Sequence, residues 1–211
     1  MTDASITAEK LLQAEAVKLS PSKPFTWASG WKSPIYCDNR KLLSLPFTRD
    51  YIKSELANVI FEKFPDADVL AGVATAGIAW GAMVADQLKL PFIYVRPKPK
   101  EHGLGNQIEG QFSAGQRVVV IEDLVSTGKS SLQVVDVLKT EGAQVLGMVS
   151  IFNYAFSQAK QAFETAGVPL ISLTDYPALL DLALNRGVIK ETDKDVLLNW
   201  RADPANWTGV N

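Results

Sequence analysis

The sequence predicts an α/β fold, a mostly parallel sheet flanked by helices. Three observations predict it. From residue 69 onward, short apolar runs alternate with helical patterns. The runs, such as Val118–Ile121 (VVVI), are apolar throughout instead of alternating, as expected where helices cover both sheet faces. Finally, 211 residues with 47% apolar and 21% charged types give room for one sizeable domain with an ample core.

The elements follow in order. Leu11, Leu12 and Ala16 recur at helical spacing and predict a helix over Ser5–Leu19, closed by Pro21. The segment Phe25–Asn39 (FTWASGWKSPIYCDN) is rich in aromatics and turn formers, which suggests short extended pieces around a Ser-Gly turn. A second helix is expected from Phe47 to Phe64, with Ile52, Leu56, Val59 and Ile60 on one face. Strands are expected at Val69–Val73, Phe92–Arg96, Val118–Glu122, Val145–Phe152 and Leu170–Leu173. Helices between them are expected at Ile78–Leu88, Lys129–Thr140 and Ser157–Ala166. Beyond Asp175 one further helix is expected after Thr192. One connection is long: 20 residues from Pro97 to Gln116, with six prolines and glycines and little apolar content. A loop of that length in a compact domain is functional or a misassigned element, and its charges favour function.

Composition narrows the function. Twenty-one basic against 23 acidic residues give a formal charge of −2 with no basic stripe, which weighs against nucleic-acid or anionic-membrane binding. A single cysteine, Cys37, excludes an internal disulfide and fits a reducing compartment. One histidine and one cysteine argue against structural zinc. The start, MTDASITAEKLL, lacks the basic and apolar regions of a signal peptide. The longest uncharged stretch, Val69–Ala85, is interrupted by Gly72, Gly77 and Gly81 and reads as strand, turn and helix. A cytoplasmic protein is expected.

The most informative segment is Val118–Ser130, VVVIEDLVSTGKS. A buried strand ends in two acids, then a turn of small residues opens a helix near Lys129. Ligands of open α/β folds bind at such carboxyl strand ends. The turn exposes backbone N–H groups at the positive end of a helix, and Ser126, Thr127 and Ser130 add hydroxyl donors, so it can hold a phosphate. Glu122 and Asp123 can accept hydrogen bonds from a ribose diol. Together these make a site for a phosphorylated sugar. A Walker A loop needs glycine five residues before Gly128, and position 123 is aspartate. An ordinary turn capped by Asp123 is the plainer alternative.

The long loop begins VRPKPKEHG. Pro97 and Pro99 hold the chain extended, and alternate residues of an extended chain share a face. Arg96, Lys98, Lys100 and His102 then align as a row of donors suited to a polyphosphate. Gly103 and Gly105 supply the freedom that a closing lid requires. The plainer reading is a solvated charged loop.

VVVIEDLVSTGKS closely resembles the signature for phosphoribosyl diphosphate (PRPP) in type I phosphoribosyltransferases. FTWASGWKSPIYCDNR and VRPKPKEHGLGNQIEG resemble orotate phosphoribosyltransferases of the branch with a Lys-Pro-Lys loop. The resemblance implies the type I fold with a small N-terminal hood: a single domain over 1–211, a PRPP-binding core at about 65–175, and a hood from about 1–45 plus the tail. It implies PRPP contacts from Arg96, Lys100 and His102 and from Glu122, Asp123, Leu124, Val125, Ser126, Thr127, Gly128, Lys129 and Ser130. Glu122 and Asp123 would bind the ribose hydroxyls, and 126–130 would enclose the 5-phosphate. Ser126 would also touch orotate, Lys100 and Asp123 would be catalytic, and the turn Ala74–Gly77 matches the family's pyrophosphate loop.

The implied reaction takes orotate and PRPP to orotidine 5′-monophosphate and pyrophosphate, towards UMP. It implies Mg²⁺ held mainly through PRPP, without a dedicated protein metal cage, and a homodimer whose lid reaches the neighbouring site. Ala28, Pro97 and Tyr154 stand where better-known relatives carry cations, which leaves Lys32 and the backbone around Ser33 as candidates for the orotate carboxylate. A nucleotide-sensing regulator on the same fold would have no use for the lid. A purine or uracil phosphoribosyltransferase would not carry SGWKSPIY.

Overall fold

The computed structural model describes residues 4–27, 29–99 and 107–209. Its centre is a six-stranded sheet of β5 (Val69–Val73), β6 (Phe92–Val95), β7 (Ile108–Glu109), β8 (Arg117–Val125), β9 (Gln144–Asn153) and β10 (Leu170–Asp175). The spatial order is β10-β9-β8-β5-β6-β7, parallel except for the edge strand β7, which runs antiparallel to β6. This is the predicted α/β class. Val118, Val119, Val120 and Ile121 are all fully buried, because helices cover both faces.

Those helices are α2 (Pro46–Lys63), α3 (Ala76–Leu88), α4 (Lys129–Thr140) and α5 (Ser157–Ala166). Ile52, Leu56, Val59 and Ile60 face the core from α2, as their spacing requires. α3 lies unusually close to the sheet. A Cβ on Gly72 would stand 2.6 Å from the Gly77 carbonyl oxygen, and one on Gly77 would stand 2.5 Å from that of Ile121. Only glycine permits this approach, and it brings the start of α3 directly against the ends of β5 and β8.

Three expectations need correction. The N-terminal helix α1 covers only Ala4–Gln13; its supposed last turn is instead β1 (Val17–Leu19), which pairs antiparallel with β4 (Ile35–Cys37). Glu15, at φ +50°, breaks the helix between them. The 97–116 connection is not structureless, because β7 lies within it. The region after Asp175 holds the helix expected after Thr192, α7 (Lys194–Ala202), and before it one that was not expected, α6 (Tyr176–Asn185). Asp175 caps α6 by accepting from the Ala178 N–H at 2.9 Å, and Pro177 sits in its first turn.

Between β1 and β4, β2 (Phe25–Thr26) and β3 (Lys32–Ser33) pair antiparallel around the expected Ser-Gly turn, where Gly30 takes φ +88°. An aromatic cluster covers this hairpin. Trp200 of α7 meets Trp27 edge-on at 5.7 Å and donates its indole N–H to the Lys32 carbonyl at 3.2 Å. Tyr154, just past β9, lies 5.0 Å from Trp27 and 5.7 Å from Trp200, ring centre to ring centre.

Candidate active site

Every parallel strand delivers its carboxyl end to one edge of the sheet, and the chemistry gathers there. β8 overhangs its neighbour: pairing with β5 stops at Gly72↔Ile121, while pairing with β9 continues to Val125↔Asn153. Residues 122–125 therefore project past β5 and carry the two acids. Glu122 is buried, and both its carboxylate oxygens already have partners. Oε1 accepts from the Asp123 N–H at 3.0 Å, and Oε2 accepts from the Ser131 hydroxyl at 3.1 Å. Each oxygen keeps a lone pair for a ligand hydroxyl. Asp123 is half-buried, and its carbonyl accepts from the Asn39 side-chain amide at 2.7 Å.

Burial and the Asp123 charge push the Glu122 carboxyl well above the usual carboxylate range. Asp123 is also raised, chiefly by burial, with the Glu122 hydrogen bond and the Arg40 charge acting the other way. The two acids titrate as a pair. Arg40 is held by Asp38, whose Oδ1 accepts from its Nε at 2.6 Å, and this hydrogen bond lowers the Asp38 pKa. The half-buried Cys37 thiol is raised well above its usual value by desolvation and by the charges of Asp123 and Asp38.

After Val125 the chain turns through Ser126, Thr127 and Gly128. Gly128 adopts φ +80° and opens α4 without a side-chain cap. Gly128 supplies no capping oxygen, and the Lys129 N–H reaches Thr127 Oγ1 only at the long distance of 3.5 Å, which leaves the helix start open to a phosphate. Ser126 and Thr127 are half-buried, whereas Lys129 and Ser130 are exposed. Next along the edge, the turn after β5 enters α3 through a cis peptide between Ala74 and Thr75. One strand further, Arg96 follows β6. Its main chain is clamped to Gln107 in both directions, at 2.9 and 2.7 Å. Its NH1 is buried without a hydrogen-bond partner among the described residues and lies 3.9 Å from Glu109 Oε1.

The Phosphoribosyl transferase domain model matches residues 49–166, more than half of the chain. The orotate phosphoribosyltransferase of Phocaeicola vulgatus is 56% identical over 200 residues, covering 95% of this chain and 94% of that protein. The chain belongs to the orotate phosphoribosyltransferase family. Among solved structures, the orotate phosphoribosyltransferase of Aeropyrum pernix superposes with a TM-score of 0.75 at 31% identity, covering 87% of this chain and 99% of that one. The UMP synthase of Leishmania donovani gives 0.77 at 26% identity, over 94% of this chain and 42% of that longer chain.

Against an orotate phosphoribosyltransferase site, the predicted residues separate into three groups. Glu122 through Ser130 form one continuous strand end, turn and helix start. Arg96 shares their edge two strand positions away, roughly 9.5 Å in strand spacings. Lys100 and His102 lie outside the described residues, as does Ala28. Tyr154 is 2% exposed within the aromatic cluster, and burial, with the nearby Cys37 among the charges, raises its phenol well above the usual tyrosine value. The Ser33 hydroxyl is spent on the Ile35 carbonyl at 2.8 Å, while the ammonium of exposed Lys32 donates to the Thr26 hydroxyl at 2.7 Å. Asn39 and Ser131, which brace the two acids, were not singled out by the sequence. Ser131 adjoins the signature and could have been found by extending it one residue. Asn39 carries no comparable local signal.

Proposed function

We propose that this chain transfers the ribose 5-phosphate group of PRPP to orotate through the edge formed by Arg96, the turn 74–77 and residues 122–130. The observation that carries the reading is the order of these features along one sheet edge: cation, tight turn, acid pair, uncapped helix. That order suits pyrophosphate, ribose and 5-phosphate in sequence. In this reading Glu122 and Asp123 orient the 2′ and 3′ hydroxyls, and Asp123 faces the sugar as it gains oxocarbenium character. The N–H groups and hydroxyls of 126–130 hold the 5-phosphate, and Ser126 also reaches orotate. Arg96, Lys100 and His102 neutralise the departing pyrophosphate.

The protein's task is to position the base and exclude water. The hard oxygen donors of Glu122 and Asp123 suit Mg²⁺, an ion that in this reading is held mainly by the substrate. When bound, Mg²⁺ would supply charge neutralisation to the pyrophosphate. The N-terminal hairpin and α7 form the hood over this edge. Among the described residues no helix is long and apolar enough to cross a membrane, and a cytoplasmic homodimer sharing its lid between sites completes the reading.

The test is to incubate the protein with PRPP, Mg²⁺ and each of orotate, uracil, adenine and hypoxanthine. Orotate should disappear at least about a hundredfold faster than any other base, because a site built for its polar substituent leaves groups unpaired with the analogues. Equal turnover of uracil would overturn the assignment.

A further inference from the structure

We infer that Asn39 is a positioning residue for Asp123, fixing the strand end that carries the acid pair. The inference rests on the proposed role of Asp123 at the ribose. Strand β8 leaves β5 behind after Ile121, so the side of residues 122–125 that faced β5 has no strand to satisfy it. Asn39 fills that vacancy in the ladder. Its Nδ2 donates to the Asp123 carbonyl at 2.7 Å across 84 residues of sequence, and the side chain is fully buried. Its Oδ1 accepts from the Cys37 thiol at 3.4 Å, which sets the orientation of the amide.

Both neighbours of Asn39 bear on the same group. Asp38 holds Arg40 at 2.6 Å, and the Arg40 charge acts on the Asp123 carboxylate. One short segment, 38–40, thus fixes the backbone of Asp123 with an amide and biases its side chain with a cation. Removing the amide leaves a buried carbonyl without a donor and frees the Asp123 peptide to rotate towards water. The carboxylate would then leave the geometry that the sugar requires, while the turn 126–128 and the start of α4 stay in place.

A double-mutant cycle distinguishes this from simple structural support. Asn39→Ala, and Asn39→Leu as a near-isosteric variant without a donor, are each made in the wild-type and Asp123→Asn backgrounds. Circular dichroism and melting curves establish which variants fold, and the variant that folds is carried forward. In the wild-type background we expect kcat/KM for PRPP to fall by at least tenfold, with the KM for orotate within twofold. In the Asp123→Asn background the same change should cost less than threefold. Equal losses in the two backgrounds, or no loss in either, would overturn the inference. Failure of wild-type protein to consume orotate would instead overturn the functional reading, and an unaffected Asp123→Asn enzyme would overturn the role of Asp123.

Discussion

At the scale of single residues, the acid pair opposes the stability of its own fold. Burial raises both Glu122 and Asp123 above the values they have in an unfolded chain. Above a pH of about 4 the folded state therefore holds more protons than the unfolded one, and stability falls as pH rises through the raised values. Glu122→Gln removes one charge, and its amide can still accept from the Asp123 N–H and donate to the Ser131 hydroxyl. We expect a higher melting temperature than wild type at pH 8, a smaller gain at pH 5, and reduced activity at both. A lower melting temperature at pH 8 would contradict the linkage. Asp123→Asn keeps the shape and removes the charge proposed to face the sugar, so kcat should drop about tenfold or more in a folded protein, in line with an electrostatic contribution in a water-excluded site. Unchanged kcat would make Asp123 a turn residue. Much at this scale was legible, because residues 122–130 are contiguous and their chemistry shows in their order. Asn39 was not, since a hydrogen bond spanning 84 residues leaves no spacing to read.

At the scale of elements, the entry of β8 into the sheet is pinned at its amino end. Asp68 accepts from the Arg117 main chain and guanidinium at 2.8 to 3.0 Å, and the guanidinium holds its carboxyl down to about 2. The resulting stability is present above the ordinary aspartate value and disappears as pH falls towards 2. Asp68→Asn should therefore lower the melting temperature at pH 7, and the deficit should shrink steadily below pH 5; a deficit independent of pH would rule out the charge as its source. Midway along β8, where its pairing with β5 ends, Gly77→Ala forces a methyl group against the Ile121 carbonyl. We expect about 2 kcal/mol or more of destabilisation in denaturant titrations, from backbone that cannot yield. The core strands were legible because their apolar runs are long. β1 was absorbed into a helical pattern because Ala16 continues the spacing of Leu12 and Pro21 is the first residue that closes it. β7 is too short for any pattern. α6 did announce itself, through Asp175 and Pro177, but its uniform apolarity hid its helical period.

At the scale of the whole molecule, the proposal that the lid is shared between subunits gives a prediction that involves two copies of the chain. Lys100→Ala and Asp123→Ala should each be nearly inactive alone. If Lys100 acts across the dimer, random subunit exchange makes half the dimers mixed, each with one intact site, and about a quarter of wild-type activity returns. Mixed dimers confirmed by mass spectrometry without recovered activity would refute the shared site. The α/β architecture was legible from strand alternation alone, whereas a hood joining the amino-terminal segment to the tail was expected only through the family resemblance, because nothing in Trp27 itself names Trp200 as its partner. That junction bears on how the protein is made. Trp200 leaves the ribosome 200 − 27 = 173 residues after Trp27. At translation rates of about 5–20 residues per second, the interval is roughly 9–35 s. The nascent chain can assemble its sheet in that time, yet the indole of Trp27 must wait for a helix not yet synthesised. The hairpin is thus among the first segments to be translated and among the last to be sheltered, which makes it the segment most open to capture by a chaperone during synthesis.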